Sequence, residues 1–323
     1  MNGQTFVFAD PDAVAEESAR RLTGLMAERP NGRFSLALSG GSTPQRFYRL
    51  LTTPPWRGQI DWGRLHVFLA DERFLPLDHP DSNFRMVRET LVNPVNNSAI
   101  LNFPLTPNVV ELSRHNGGDC RYPEHREVNV GAGSEPAPAP WHLGSGNPCR
   151  NDEQKPVSTA LPLTHPLRQA QDRLLQRGEQ EKLPKSNLHP IPTDGTVEEC
   201  AVRYETELRN FFGSNPPRFD LIVLGMGPDG HTASLFPGHV HPHGHWVLTV
   251  HHSPKPPPTR LSLSLEVINQ AHQVLFLVTG QDKAEALANL RNDSVPKLPA
   301  GTVQLDKGEL VWLVDEAAGG EKQ

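Results

Sequence analysis

FDLIVLGMGPDGHTASLFPG (219–238) is the stretch whose reading decides the fold. FDLIVLG (219–225) is a short, unbroken apolar run that stops at a glycine, the pattern of a strand buried on both faces. A glycine-rich turn follows at once, so the residues after it sit at the carboxyl end of a strand. In open α/β sheets that edge is where ligands bind. The spacing Gly225, Gly227, Gly230 matches the dinucleotide fingerprint. That reading needs an acid at the end of the next strand to hold a ribose. From Gly230 through Leu265 there is no Asp or Glu, which removes it. Asp229 and His231 remain, two apart on a flexed loop. The pair suits general base chemistry, with the carboxylate orienting the imidazole. A loop histidine without a role is the alternative.

The same alternation extends outward. FSLALS (34–39), LHVFLA (65–70), WVLTV (246–250), RLSLSL (260–265), VLFLVT (274–279) and LVWLV (310–314) read as strands. Helical patterns start at Asp10-Pro11, at Thr43-Pro44 as cap and first-turn proline, at Ser82 and at Thr196, and one covers about 282–291. On the first helix Val14, Ser18, Leu22, Leu25 and Met26 share a face. Apolar strands alternating with helices predict an α/β fold, a mostly parallel Rossmann-like sheet flanked by helices.

Three further stretches carry chemistry. Ser39-Gly40-Gly41-Ser42-Thr43-Pro44 joins a strand to a helix. Free amides and two hydroxyls there favour an anion such as phosphate, although a purely structural turn uses the same residues. The Gly-Lys-Ser/Thr ending of a Walker loop is missing. Asp71-Glu72-Arg73 ends a strand and reads equally as an oxyanion grip or as a solvated turn with a local ion pair. Arg260 starts a strand, and Lys283 opens a helix, where a cation opposes the dipole unless an anion binds. No Gly-x-Ser-x-Gly elbow occurs, so water is the expected nucleophile.

Composition narrows the classes. The chain has 323 residues, a formal net charge of −6 and a pI near 6.2, which argues against a general nucleic-acid binder. No run approaches the roughly 18 apolar residues of a membrane span, and the amino-terminal stretch has no secretory pattern. Cys120, Cys149 and Cys200 are too scattered for a disulfide scaffold or zinc ribbon. The expected setting is the cytoplasm. His239, His241, His243, His245, His251 and His252 are dense, yet Pro242 and Gly244 mark a loop and no i, i+4 histidine pair carries a Glu base. No metal is expected there. The prolines are unevenly spread, and the text between about 104 and 192 is rich in Pro, Gly, Asn, His and Arg. We read about 107–186 as one long irregular insertion in a single domain spanning 1–323, with one polar helical piece near 166–182 that could dock a partner.

Taken together, LALSGGSTPQRFYRLL (36–51), VFLADERFLPLDHPDSNFRMVRETL (67–91), NLHPIPTD (187–194), FDLIVLGMGPDGHTASLFPG (219–238) and VTGQDKAEAL (278–287) resemble the glucosamine-6-phosphate isomerase/6-phosphogluconolactonase family. Several long motifs occur in order, covering nearly all the chain outside the insertion. The deaminase branch tends to carry Asp-Glu-Tyr where this chain has Asp71-Glu72-Arg73. It also continues the His loop with Ile-Ala-Phe-Asn-Glu, where Thr232-Ala233-Ser234-Leu235-Phe236 stands here. The resemblance therefore points to the lactonase branch. It implies hydrolysis of 6-phospho-D-glucono-1,5-lactone, with no metal or organic cofactor. It also implies that Gly40, Gly41, Ser42, Thr43, Arg260 and Lys283 hold the phosphate, that His231 activates water, that Asp229 orients it, and that Arg73 meets the oxyanion. Asp71 would be structural or would organise Arg73. A deaminase or a non-catalytic sugar-phosphate sensor are the alternatives. The long insertion departs from the family, whose members connect the flanking motifs briefly.

Overall fold

A computed structural model describes residues 2–97, 182–213, 216–240, 242–292 and 298–319. Among these, seven strands form one parallel sheet in the order β1-β10-β9-β6-β2-β3-β5. They are β1 (Gln4–Phe8), β2 (Phe34–Leu38), β3 (Leu65–Leu69), β5 (Leu188–His189), β6 (Leu221–Gly225), β9 (Gln273–Val278) and β10 (Glu309–Asp315). Every residue of β2 and β9 is buried, as interior parallel strands require with helices on both faces. Phe276 stacks on Trp312 with centroids 3.9 Å apart, and both rings are fully buried. Burying one such side chain contributes about 1.5–3 kcal/mol.

The flanking helices follow their sequence cues. In α1 (Pro11–Glu28) the Asp10 carboxylate accepts from the amides of Asp12 and Ala13 at 2.9 Å, satisfying two free donors. Val14, Ser18, Leu22 and Met26 are buried, and Leu25 is half-buried. In α5 (Val197–Phe212) Thr196 and Glu199 cap each other's amides reciprocally. α2 (Ser42–Leu51) begins two residues earlier than the Thr43 cap predicts. Gly41 holds the cap position at φ 116°, in the left-handed region, with no side-chain cap. Ser82 caps α3 (Asn83–Val87), which runs through a π-turn (Arg88–Val92) into α4 (Asn93–Asn96). The remaining helices are α6 (Leu265–Asn269), α7 (Ala284–Asn292), α8 (Pro299–Thr302) and α9 (Glu316–Gly319).

Two expectations are corrected, and a third concerns residues that lie mostly outside the described ones. The strands near 246–250 and 260–265 do not join the parallel sheet. β7 (Val247–Val250) and β8 (Arg260–Leu263) pair antiparallel, and β4 (Asp71–Arg73) adds to β8. Second, Asp71-Glu72-Arg73 is therefore a strand rather than a solvated turn, with Asp71 and Glu72 buried. Ala70 makes the transfer between sheets: its amide donates to Leu38 O at 2.8 Å, and its carbonyl accepts from Leu263 N at 2.7 Å. Third, the expected insertion, about 107–186, lies outside the described residues up to 181, as does the 166–182 piece except its last residue. Residues 183–186 are described: Leu183 is buried, and its amide donates to Asn96 Oδ1 at 2.9 Å. That end belongs to the folded body. All described residues fall in the compact unit formed by 1–102 and 169–323.

The strand order creates a switch point. From β2 the chain moves to β3 on one side, whereas from β6 it moves to β9 on the other. The loops leaving β2 and β6 diverge there and leave a crevice at their carboxyl ends.

Candidate active site

A cavity of about 310 Å³ occupies that crevice. Gly40, Gly41, Ser42 and Thr43 line it from the loop after β2, His231 from the loop after β6, and Lys283 from the turn after β9. Asp71, Arg73 and Arg260 line it from the small sheet. All the sequence-derived site residues thus converge, except that Asp229 stands behind His231 rather than in the lining.

The glycine turn is held rather than loose. Tyr48 of α2 donates to Ser39 O at 2.8 Å, and the Thr43 and Thr279 hydroxyls meet at 2.6 Å. Across the cavity, Arg73 and Arg260 are directly opposite in the β4–β8 ladder. Like charges in that position repel. With Lys255 and Lys283 they give four cations in the lining, against Asp71 as its one carboxylate among the described residues. This lining selects an anion. All four are already engaged by the protein, Lys255 by Asp229 at 3.3 Å. Arg260 spends Nε on Pro257 O and Nη2 on Lys255 O and Pro256 O, while Lys283 pairs with Asp282 at 2.5 Å. Arg73 Nη1 donates to Asp81 O at 2.7 Å, and its buried Nε has no partner among the described residues.

The base is built on a tight loop. Gly227 N donates to His231 O, and Gly230 N to Gly227 O, both at 2.9 Å. His231 Nδ1 meets Asp229 Oδ1 at 2.5 Å, which fixes the imidazole and its tautomer. Among the described residues nothing hydrogen-bonds Nε2, so that nitrogen is available to the cavity. Burial lowers the His231 pKa below its ordinary value, against the opposing pull of Asp229, so the ring is neutral near pH 7. Burial works to raise the Asp229 pKa, but the hydrogen bond and charge of His231, with Lys255, bring it below the usual carboxylate value. A Cβ at Gly227 would lie 2.0 Å from His231 Nδ1, so the close packing of the pair requires glycine there.

Asp71 acquires a definite place. Its Oδ2 accepts from Ser234 Oγ at 2.7 Å and its Oδ1 from Asn83 Nδ2 at 3.2 Å. It ties the His loop to the small sheet and to the start of α3. Glu72, fully buried, accepts from the amides of Arg73, Asn83 and Phe84 and from Ser82 Oγ. Burial pushes it up to about 7 against those bonds.

Sequence reasoning missed Lys255, whose Nζ is 3.3 Å from Asp229 Oδ1, and the supports Asn83, Ser234 and Glu72. The available cue for Lys255 was a single charge in the stiff SPKPPP connection (253–258) between two strands. Among the described residues no group of three His, Cys, Asp or Glu could hold a metal ion. In the histidine-rich region His243 pairs with Glu266 and His251 with Glu198, each at 3.2 Å, and His241 lies outside the described residues, as do Cys120 and Cys149. No helix among the described residues is long and apolar enough to cross a membrane.

Comparison with known proteins agrees with this geometry. The profile of the family described as glucosamine-6-phosphate isomerases/6-phosphogluconolactonase matches residues 9–118 and 161–312. A 6-phosphogluconolactonase of Rattus norvegicus is 30% identical over 98% of this chain and 92% of its own length. One from Synechocystis sp. is 31% identical over 93% of this chain and 88% of its own. The crystal structure of 6-phosphogluconolactonase from Thermotoga maritima superposes with a TM-score of 0.62 at 22% identity, covering 97% of this chain and all of that one, and so shares the fold. By the span of the profile match and the full-length likeness to its relatives, this chain belongs to the glucosamine-6-phosphate isomerase/6-phosphogluconolactonase family.

Proposed function

We propose that the chain hydrolyses 6-phospho-D-glucono-1,5-lactone to 6-phospho-D-gluconate, a step of the oxidative pentose phosphate pathway. The observation that carries this is the switch-point cavity, where a cation-rich lining surrounds His231, whose Nδ1 is held by Asp229 and whose Nε2 has no hydrogen-bond partner among the described residues. The relatives named above supply the substrate class.

The glycine turn, Ser42, Thr43, Lys283 and Arg260 hold the phosphate. Binding energy there positions the lactone carbonyl without entering the chemistry. His231 Nε2 takes a proton from water, and the hydroxide adds to the carbonyl carbon. Arg73 faces the developing oxyanion. The bond from that carbon to the ring oxygen then breaks, and the ring oxygen takes the proton back from Nε2. Asp229 stabilises the imidazolium between these two transfers. No step needs a metal or an organic cofactor.

In this reading the chain is one catalytic domain interrupted by a long insertion, working in the cytoplasm on a diffusible sugar phosphate, with neither nucleic acid nor membrane as partner. The test is hydrolysis of lactone generated in situ, with 6-phosphogluconate followed by a coupled dehydrogenase and spontaneous opening subtracted. Glucosamine 6-phosphate runs beside it with ammonia as readout. Acceleration of lactone opening that His231→Ala abolishes supports the reading. Ammonia release, or ligand binding without turnover, overturns it.

A further inference from the structure

Asp229 Oδ1 has two donors. His231 Nδ1 lies at 2.5 Å and Lys255 Nζ at 3.3 Å. Nζ is also 3.5 Å from Nδ1. Nδ1 already directs its proton to the carboxylate, so this second approach is not a hydrogen bond. It sets an ammonium beside a ring that must become positive during turnover.

The position of Lys255 is built. Its amide donates to Ser253 Oγ at 3.3 Å, and that hydroxyl donates to Lys255 O at 2.9 Å. Ser253 N donates to Pro258 O at 2.8 Å, closing the connection on itself. Arg260 Nη2 grips the carbonyls of Lys255 and Pro256 at 3.1 and 3.0 Å. The buried arginine that lines the cavity therefore also fixes the loop carrying Lys255.

We infer that Lys255 is a positioning residue that acts through Asp229, holding its carboxylate in line with His231 Nδ1 while its own charge disfavours the imidazolium, so that the base meets substrate unprotonated. This rests on the lactonase reading above for its kinetic consequence, but not for the electrostatic one. Among the described residues, the charged groups around His231 are Asp229 on its own loop, Asp71 and Arg73 on β4, Lys255 and Arg260 from the β7–β8 segment, and Lys283 after β9 across the cavity. Asp71 and Asp229 favour the charged ring, while Lys255 and burial oppose it. Burial is the largest opposing influence, and Lys255 is the charge that adds to it against the two carboxylates. Its nearest side-chain partners are the base pair itself rather than the glycine turn, which separates it from Lys283.

The experiment compares Lys255→Met, Lys255→Arg and wild type, each checked for an unchanged thermal midpoint. In Lys255→Met the acid limb of kcat/KM on the lactone moves to higher pH by about half a unit to one unit, the size of a lost neighbouring charge. Lys255→Arg restores the limb. An unmoved limb with a raised KM would make Lys255 a phosphate ligand and overturn the proposal, as would no change at all. NMR titration of the His231 imidazole in the same proteins needs no turnover. A rise in Lys255→Met supports the inference even if the lactone assay fails, and an unshifted ring overturns it even if the assay succeeds.

Discussion

The two shortest histidine–carboxylate pairs among the described residues are nearly equal in length, and they differ in what the histidine does with its other nitrogen. His231 meets Asp229 at 2.5 Å, and its Nε2 opens on the cavity. His189 of β5 meets Glu207 of α5 at 2.6 Å, but its Nε2 is taken by His66 Nδ1 at 3.0 Å. The His189 ring lies flat on Phe68, with centroids 4.0 Å apart, and packs edge-on to Phe211. The acid–base couple is thus available in both places, but a free nitrogen facing a cation-lined crevice exists at only one of them. A buried histidine with a carboxylate partner is a structural element by default. It becomes a base when the fold leaves one nitrogen unspent at a switch point.

The largest expected effect breaks the comparison at its active side. His231→Ala should lower kcat by about 10²–10⁴-fold, the usual worth of a general base, while binding of 6-phosphogluconate stays within a few-fold. His189→Ala should leave kcat nearly unchanged. Steady-state kinetics on the two variants side by side is the check, and equal losses would erase the distinction. Next in size is Gly227→Ala. The added Cβ falls 2.0 Å from Nδ1 and 2.4 Å from Asp229 Oδ1, so the pair must move by about an ångström. Misplacement on that scale costs about 100-fold in turnover. Unchanged kinetics would mean that the loop yields without moving the base.

The Asp229–His231 pair was legible in the sequence and the His189–Glu207 pair was not, for a physical reason. Asp229, His231 and their glycines lie within one loop, where local turn chemistry constrains them. The Gly40-Gly41 turn was legible on the same terms, and β2, β3, β6, β9 and β10 through continuous apolar runs. His66 and His189 come from strands 123 residues apart, and β5 is only two residues long. Such pairing is set by register rather than by pattern. Lys255 and the β4–β8 ladder escaped likewise. VFLADER (67–73) reads as one strand with a charged end, and only the contact of Ala70 with Leu263 shows the chain changing sheets there. β1 escaped because its apolar run, Phe6-Val7-Phe8, is only three residues long, shorter than the runs that read as buried strands.

At the structural pair the expected effects are on stability. His189→Ala removes the stack on Phe68 and leaves His66 without its partner. A loss of about 1–3 kcal/mol in urea unfolding follows from an unmatched buried polar group, with kcat intact. A loss of turnover at full stability would instead connect this cluster to the site.

The smallest effect is a pH dependence. Burial first, then the charges of His189 and Arg33, lower the His66 pKa to about 4, below the ordinary 6.5. The unfolded chain therefore takes up a proton near pH 6.5 that the folded chain refuses until about 4. Stability from this group is fully present above pH 6.5, declines as pH falls through that window, and levels off below about 4. His66→Gln removes the titrating group, so its thermal midpoint should fall less than that of wild type between pH 6.5 and 4. His231 also titrates below its ordinary value, so the comparison is cleanest in a His231→Ala background. Parallel midpoint curves in that background would mean that the His66–His189 contact does not sense protons, leaving the packing against Phe68 and Phe211 as the whole of its role.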